Sequence, residues 1–85
     1  MLMKQSVGER IRFLRRQMGV SQEELAERIG ISAKHLSKIE RDETSFTVQI
    51  LMTLSKSFGV STDYILTGES YTLSDKEKML VLLNE

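Results

Sequence analysis

The stretch QEELAERIGISAKHLSKIER, residues 22–41, decides the fold of this chain. Its apolar residues fall at the positions where two short packed helices need them: Leu25, Ile29, Ile31, Leu36 and Ile39. Ala26 is small where a second helix would press closest, and Gly30 can end the first helix in a left-handed conformation. The pattern predicts a helix-turn-helix, in which the exposed side of the second helix can enter a DNA major groove.

Residues that begin and end helices divide the rest of the chain. Hydroxyl residues that can cap a helix precede four apolar segments: Ser21, Ser32, Thr47 and Ser61. Glycines that can end a helix follow the first, second, fourth and fifth segments: Gly19, Gly30, Gly59 and Gly68. With a first helix over residues 7–18, the sequence predicts an all-α fold of five helices in one domain, residues 1–85. The fourth helix is expected to turn six residues inward: Val48, Leu51, Met52, Leu54, Ser55 and Phe58.

A sixth, short C-terminal helix is predicted over residues 74–84. Ser74 and Glu77 have the spacing of a capping box, and five apolar residues follow from Met79 to Leu83. So many apolar residues need a cover, which could be the domain itself, a second copy, or a following domain. The candidate dimer surface consists of parts of the fourth and fifth helices together with Met79, Leu80, Leu82 and Leu83.

Composition limits the function classes. The chain has 85 residues, no cysteine and one histidine, which excludes disulfides, thiolate zinc sites, thiol catalysis and multi-histidine metal sites. No signal peptide is recognisable, and no apolar run approaches the roughly 18 residues that span a bilayer. We therefore expect a cytoplasmic protein that is not an enzyme, with no metal, no cofactor and no membrane partner.

The charges are unevenly distributed along the chain. The formal net charge is zero, but residues 1–41 contain nine Lys or Arg against five Asp or Glu, and residues 42–85 contain three against seven. Binding to phosphates needs a local basic surface more than a basic total. The basic half contains the helix-turn-helix. This coincidence favours a nucleic-acid partner over the alternative that the charges are divided by chance.

From VGERIRFLRRQMGVSQEELA through ISAKHLSKIER to SKSFGVSTDYILTG, about residues 7–68, the chain resembles a known family. The resemblance is to the DNA-binding domain of the lambda-repressor-like, Cro-type regulators of bacteria and phages, also called the xenobiotic-response-element type. It implies a five-helix domain that binds double-stranded DNA. Members of the family often have glycine where this chain has Asp42, and proline where it has Phe46. Because Asp42 and Glu43 are acidic, they are expected to weaken phosphate contacts in this loop.

Two charged residues lie on apolar stripes. Arg15 is on the inner stripe of the first helix, and Glu40 shares the stripe of Leu36 on the third. Because a lone buried charge is very costly, we expect Arg15 and Glu40 to form a structural ion pair, and the resemblance implies the same pair.

Phosphate contacts are expected at the start of the second helix, where free amides and the helix dipole attract anions. The resemblance implies that Gln22 bonds a phosphate and braces the recognition helix, and Ser21 lies beside it. Further candidates for phosphate contact are His35, Arg41 and Arg10. For His35, a boundary position without a role is an equal alternative.

The resemblance also places base contacts on the third helix. Ala33, Lys34 and Lys38 occupy the positions that face base edges, and Ser37 could donate to a base or a phosphate. Lys donates to the acceptors of guanine and Ala contacts the thymine methyl, so a half-site containing guanine is expected. The alternative is that Lys34 and Lys38 form an ordinary solvated face.

The leading hypothesis is a sequence-specific transcriptional regulator, more specifically a repressor. It would bind a palindromic operator as a homodimer through residues 32–41. One small recognition helix makes few contacts, whereas two copies roughly add their binding energies. The alternative is an antitoxin or another protein-interaction module on the same fold. In that case the apolar C-terminal segment would bind a partner protein.

Overall fold

The computed structural model describes residues 5–69, which form five α-helices. These are α1 (Val7–Met18), α2 (Gln22–Ile29), α3 (Ala33–Glu40), α4 (Val48–Phe58) and α5 (Thr62–Thr67). The predicted all-α fold is confirmed. The expected helix over residues 74–84, and with it Met79, Leu80, Leu82 and Leu83, lies outside the described residues. Among the helices from residue 5 to residue 69, none is long and apolar enough to cross a membrane.

A hydroxyl side chain caps the start of every one of these helices. In each case it accepts from the backbone amide three residues on, and the caps are Ser6, Ser21, Ser32, Thr47 and Ser61. Four of these caps were predicted, and Ser6 is the addition. Ser6 and Glu9 form a capping box with the same spacing as the predicted box of Ser21 and Glu24.

One apolar core lies between the helices. Its buried members are Ile11, Leu14, Val20, Leu25, Ala26, Ile29, Leu36, Ile39, Leu54 and Ile65. The prediction that Val48 and Met52 face inward is wrong, because these side chains are 72% and 51% exposed. A helix turns about 100° per residue, so Met52 points away from the side on which Leu54 enters the core. An apolar surface therefore remains on the outside of α4.

Gly8 allows α1 to approach the end of α3. A Cβ atom at residue 8 would lie 2.4 Å from the carbonyl oxygen of Ile39 and 2.7 Å from that of Glu40. Both contacts are with backbone, which cannot rotate away as a side chain can. Only a glycine fits this position without a shift of one helix against the other.

We expect Gly8→Ala to lower the free energy of unfolding by about 1–3 kcal/mol through overpacking. This loss should appear although Ala favours a helix interior by about 1 kcal/mol over Gly. Urea unfolding measures it, with Gln17→Ala on the exposed side of α1 as the control. An unchanged or higher midpoint for Gly8→Ala would contradict this packing.

Candidate nucleic-acid interface

The outer side of α3 carries a row of polar and basic residues. Lys34, Ser37, Lys38 and Arg41, here called the α3 strip, follow one another at spacings of three, one and three residues. Lys34, Lys38 and Arg41 are exposed and Ser37 is half-buried, whereas Leu36, Ile39 and Glu40 on the other side are buried. Neighbours at spacings of three and four lie on the same face of a helix. The α3 strip is therefore a continuous surface with three cationic side chains.

The α3 strip is flanked by the other two predicted contact residues of α3, Ala33 and His35. Ala33 is half-buried and packs against the core. His35 is also half-buried, and its backbone amide donates to the Ser32 hydroxyl. Both lie in the first turn of α3, beside Lys34.

Arg15 and Glu40 form a buried ion pair that fixes α3 against α1. Arg15 Nε donates to Glu40 Oε2 at 2.7 Å and Nη2 donates to Oε1 at 3.1 Å. The third nitrogen, Nη1, donates to the Val20 carbonyl at 2.9 Å. The side chains are 10% and 2% exposed. Paired hydrogen bonds of this kind compensate for the desolvation of both charges.

Gln22 connects this pair to the start of α2. Its Nε2 donates to Glu40 Oε1 at 3.0 Å, so one of its two amide hydrogens braces α3. The other remains available for a phosphate. In the part of the chain that the structure describes, the backbone amides of Gln22 and Glu23 have no acceptor. Together with the helix dipole they can receive an anion beside Gln22.

Ser21 lies next to these amides as the cap of α2. Its hydroxyl accepts from the Glu24 amide at 3.1 Å, and its own amide donates to Glu24 Oε1 at 3.3 Å. The hydroxyl hydrogen of Ser21 therefore remains available as a donor.

Arg10 does not belong to this surface, and the prediction that it contacts a phosphate is wrong. The residue is 3% exposed. Its Nη1 donates to the Ile65 carbonyl and its Nη2 to the Gln5 carbonyl, both at 2.7 Å. Arg10 thus holds the last turn of α5 against α1, where the negative end of a helix dipole favours a cation. Its place on the stripe of Val7 and Leu14 was the signal for burial.

Asp42 turns toward α1 and away from the α3 strip. It has φ of 59°, the left-handed conformation that the common glycine adopts easily and that Asp tolerates better than most residues. Its Oδ1 accepts from the Gly8 amide at 2.9 Å, and its Oδ2 accepts from the Ser6 hydroxyl. Asp42 therefore contributes to the cap of α1. No local pattern in the sequence predicts this contact, which joins positions 34 residues apart.

Comparison with known proteins agrees with this geometry. A model of the helix-turn-helix family matches residues 11–65, which span all of α2 and α3. The chain belongs to the helix-turn-helix family. The lambda-repressor-like, Cro-type membership that residues 7–68 indicated is thereby confirmed.

Curated relatives of this helix-turn-helix chain are named as regulators. The transcriptional regulator ImmR of Bacillus subtilis (strain 168) is 33% identical over 75 residues, which are 88% of this chain and 59% of ImmR. The regulator RamB of Mycobacterium tuberculosis is matched over 15% of its length. The chain therefore corresponds to part of these proteins.

Solved structures of the family share the fold. The c2 repressor of Salmonella phage P22, in complex with a synthetic operator, is 38% identical with a TM-score of 0.73, over 76% of this chain and 98% of that one. SinR in complex with DNA is 37% identical with a TM-score of 0.65, over 69% and 95%. A complex of SinR with SinI matches at 35% identity and a TM-score of 0.68, over 89% and 75%.

Proposed function

We propose that this helix-turn-helix protein is a sequence-specific DNA-binding transcriptional repressor of the cytoplasm, not an enzyme, and that it binds a two-fold symmetric operator as a homodimer. The observation that carries this proposal is the α3 strip. It offers three exposed cations, two on the second helix of the motif and Arg41 directly after it, and the opposite side of that helix is held by the buried pair of Arg15 and Glu40. The operator complex of the P22 c2 repressor supports DNA as the partner.

Within this proposal the side chains divide into two groups. Lys34 and Lys38, with Ser37 and the methyl group of Ala33, read base edges in the major groove. Contacts to the phosphates on either side come from Gln22, Ser21, His35 and Arg41. Lysine donors select guanine, so each half-site should contain this base.

Salt dependence of DNA binding tests the proposal directly. Contacts between cations and phosphates release counterions, so the affinity of several such contacts falls by orders of magnitude between about 50 and about 200 mM salt. Fluorescence anisotropy with a labelled duplex measures this decrease. A well-folded protein that does not bind duplex DNA at the lower salt would rule the proposal out.

The homodimer is proposed because one recognition helix makes too few contacts to discriminate a site. A candidate surface lies on α4 and α5, where Val48, Met52 and Leu66 are exposed apolar residues. Val48 and Leu66 line the same groove, of about 570 Å³, with Val7, Phe46 and Leu51 on its walls. Met79, Leu80, Leu82 and Leu83 remain candidates for the same interface.

We expect Val48→Glu to weaken self-association at least tenfold, because the new charge would be desolvated in an apolar interface. Sedimentation equilibrium measures the change. Gln49→Glu adds the same charge at the next exposed position of α4 and is the control. If both variants associate as the wild type does, this surface is not the dimer interface.

A second candidate function is binding of a partner protein, as in an antitoxin. The SinR–SinI complex favours it, since that relative assembles with another protein. The exposed apolar surface of α4 and α5 suits such a partner, as does the apolar segment from Met79 to Leu83. A folded protein that binds no duplex at low salt would favour this function over DNA binding.

A further inference from the structure

Arg41, at the end of the α3 strip, has an intramolecular partner. Its Nη2 lies 3.0 Å from Glu43 Oε2, and the two side chains are 55% and 49% exposed. Its Nε donates to the Ser37 carbonyl at 3.2 Å. The guanidinium is therefore held against the last turn of α3, while the side chains of Arg41 and Glu43 both stay accessible from solvent.

The position of Glu43 is set by the backbone. Its amide donates to the Lys38 carbonyl at 2.9 Å, which anchors Glu43 at the last turn of α3. Its neighbour Asp42 is occupied elsewhere, because that carboxylate accepts from Gly8 and Ser6. Of the two acidic residues in this loop, Glu43 is the one whose carboxylate is paired with the α3 strip.

We propose that Glu43 competes with a DNA phosphate for Arg41 and so holds the affinity below the value that the α3 strip alone would give. The inference rests on the proposed function, since it requires that Arg41 contacts DNA. Glu43 Oε2 already occupies Nη2 and the Ser37 carbonyl occupies Nε, so a phosphate that approaches this edge of the guanidinium competes with Glu43. Exposed ion pairs are weak, which makes the exchange easy.

The test is the substitution Glu43→Gln, which keeps the size of the side chain and removes its charge. We expect the affinity for duplex DNA to rise roughly two- to fivefold for each copy bound, the range that an exposed ion pair provides. The gain should occur on operator and random duplexes alike, because phosphate contacts carry no sequence information. The salt dependence should become steeper, because Arg41 then contributes more fully to counterion release.

Two further variants separate competition from simple repulsion of DNA. Glu27→Gln removes one charge from the exposed side of α2, where Glu27 has no ion pair among residues 5–69, and it measures the effect of net charge alone. Arg41→Gln removes the cation for which Glu43 and the phosphate compete. In the Arg41→Gln background, Glu43→Gln should give no more gain than Glu27→Gln gives in the wild type.

An equal gain from Glu43→Gln with and without Arg41 would overturn the competition, as would no gain at all in a protein that binds DNA. Wild-type protein that binds no duplex would refute the proposed function itself, and the inference with it. The two failures are therefore distinguishable. Urea unfolding of each variant verifies that affinities refer to folded protein.

Discussion

Glu40→Ala should lower the free energy of unfolding by about 3–5 kcal/mol, the usual cost of removing one partner of a buried ion pair. The substitution leaves the Arg15 guanidinium with a single acceptor, the Val20 carbonyl, in a site where its side chain is 10% exposed. It also removes the acceptor of Gln22 Nε2. Domains have total stabilities of about 5–15 kcal/mol, so much of the fold's stability would be lost. Urea unfolding followed by circular dichroism measures the difference.

A paired replacement is the matched control for this prediction. Arg15→Met combined with Glu40→Leu removes both charges and keeps apolar volume, so it should cost far less than Glu40→Ala alone. Glu27→Ala, on the exposed side of α2, should change the stability by less than about 0.5 kcal/mol. If Glu40→Ala were as mild as Glu27→Ala, the pair would not hold α3 in place.

Lys38→Ala should weaken binding to the operator by about 1–3 kcal/mol per half-site, and by about twice that for a symmetric dimer. Lys38 is exposed in the middle of the α3 strip, one turn from Lys34. If it donates to guanine, its loss should also relax the preference at one base pair of each half-site. Competition binding with operators altered at single positions measures both effects.

Gln22→Ala serves as the comparison for Lys38→Ala. Gln22 is assigned to a phosphate, so its loss should weaken operator and random duplexes by similar factors. Gln22 also donates to Glu40, so Gln22→Ala can lower the stability of the fold. The DNA affinity of this variant must therefore be corrected for its folded fraction. Equal losses on operator and random DNA for both variants would contradict the assignment of Lys38 to a base.

The helices could be predicted closely because local chemistry marks their ends. Ser21 and Ser32 cap their helices as their spacing indicates, and Gly30 ends α2 with φ of 77°. The pair of Arg15 and Glu40 was also predictable, since each charge lies on an apolar stripe and needs a partner. These features depend on periodicity and on short spacings, which a sequence displays directly.

Contacts between distant loops could not be predicted. The carbonyl of Ile65 that receives Arg10 is 55 residues away, and its position depends on how α5 packs on α1. The carboxylate of Asp42 reaches Gly8 only because Asp42 itself has the left-handed backbone conformation. The same loop conformation brings Glu43 to Arg41. Apolar periodicity alone also failed for Val48 and Met52, because it does not tell how much of a helix surface its neighbours cover.

For the candidate interface, the sequence predicted which side of α3 faces outward, and the exposure of Lys34, Lys38 and Arg41 agrees. Their contacts with bases and phosphates remain predictions, as do those of Ser37, Gln22 and Ser21. Sequence alone leaves Arg10 a candidate for phosphate contact, because an exposed arginine readily donates to phosphate. Burial separates it from Arg41, whose side chain is 55% exposed.

Selection of bound duplexes from a random DNA library, at about 150 mM salt where non-specific binding to the phosphate backbone is weak, tests the central claim most directly. A homodimer that reads DNA through the α3 strip should enrich a two-fold symmetric site with guanine in each half, the half-sites about one helical turn apart. Folded wild-type protein that enriches no sequence would contradict the account, and would direct attention to a protein partner for the exposed apolar surface of α4 and α5.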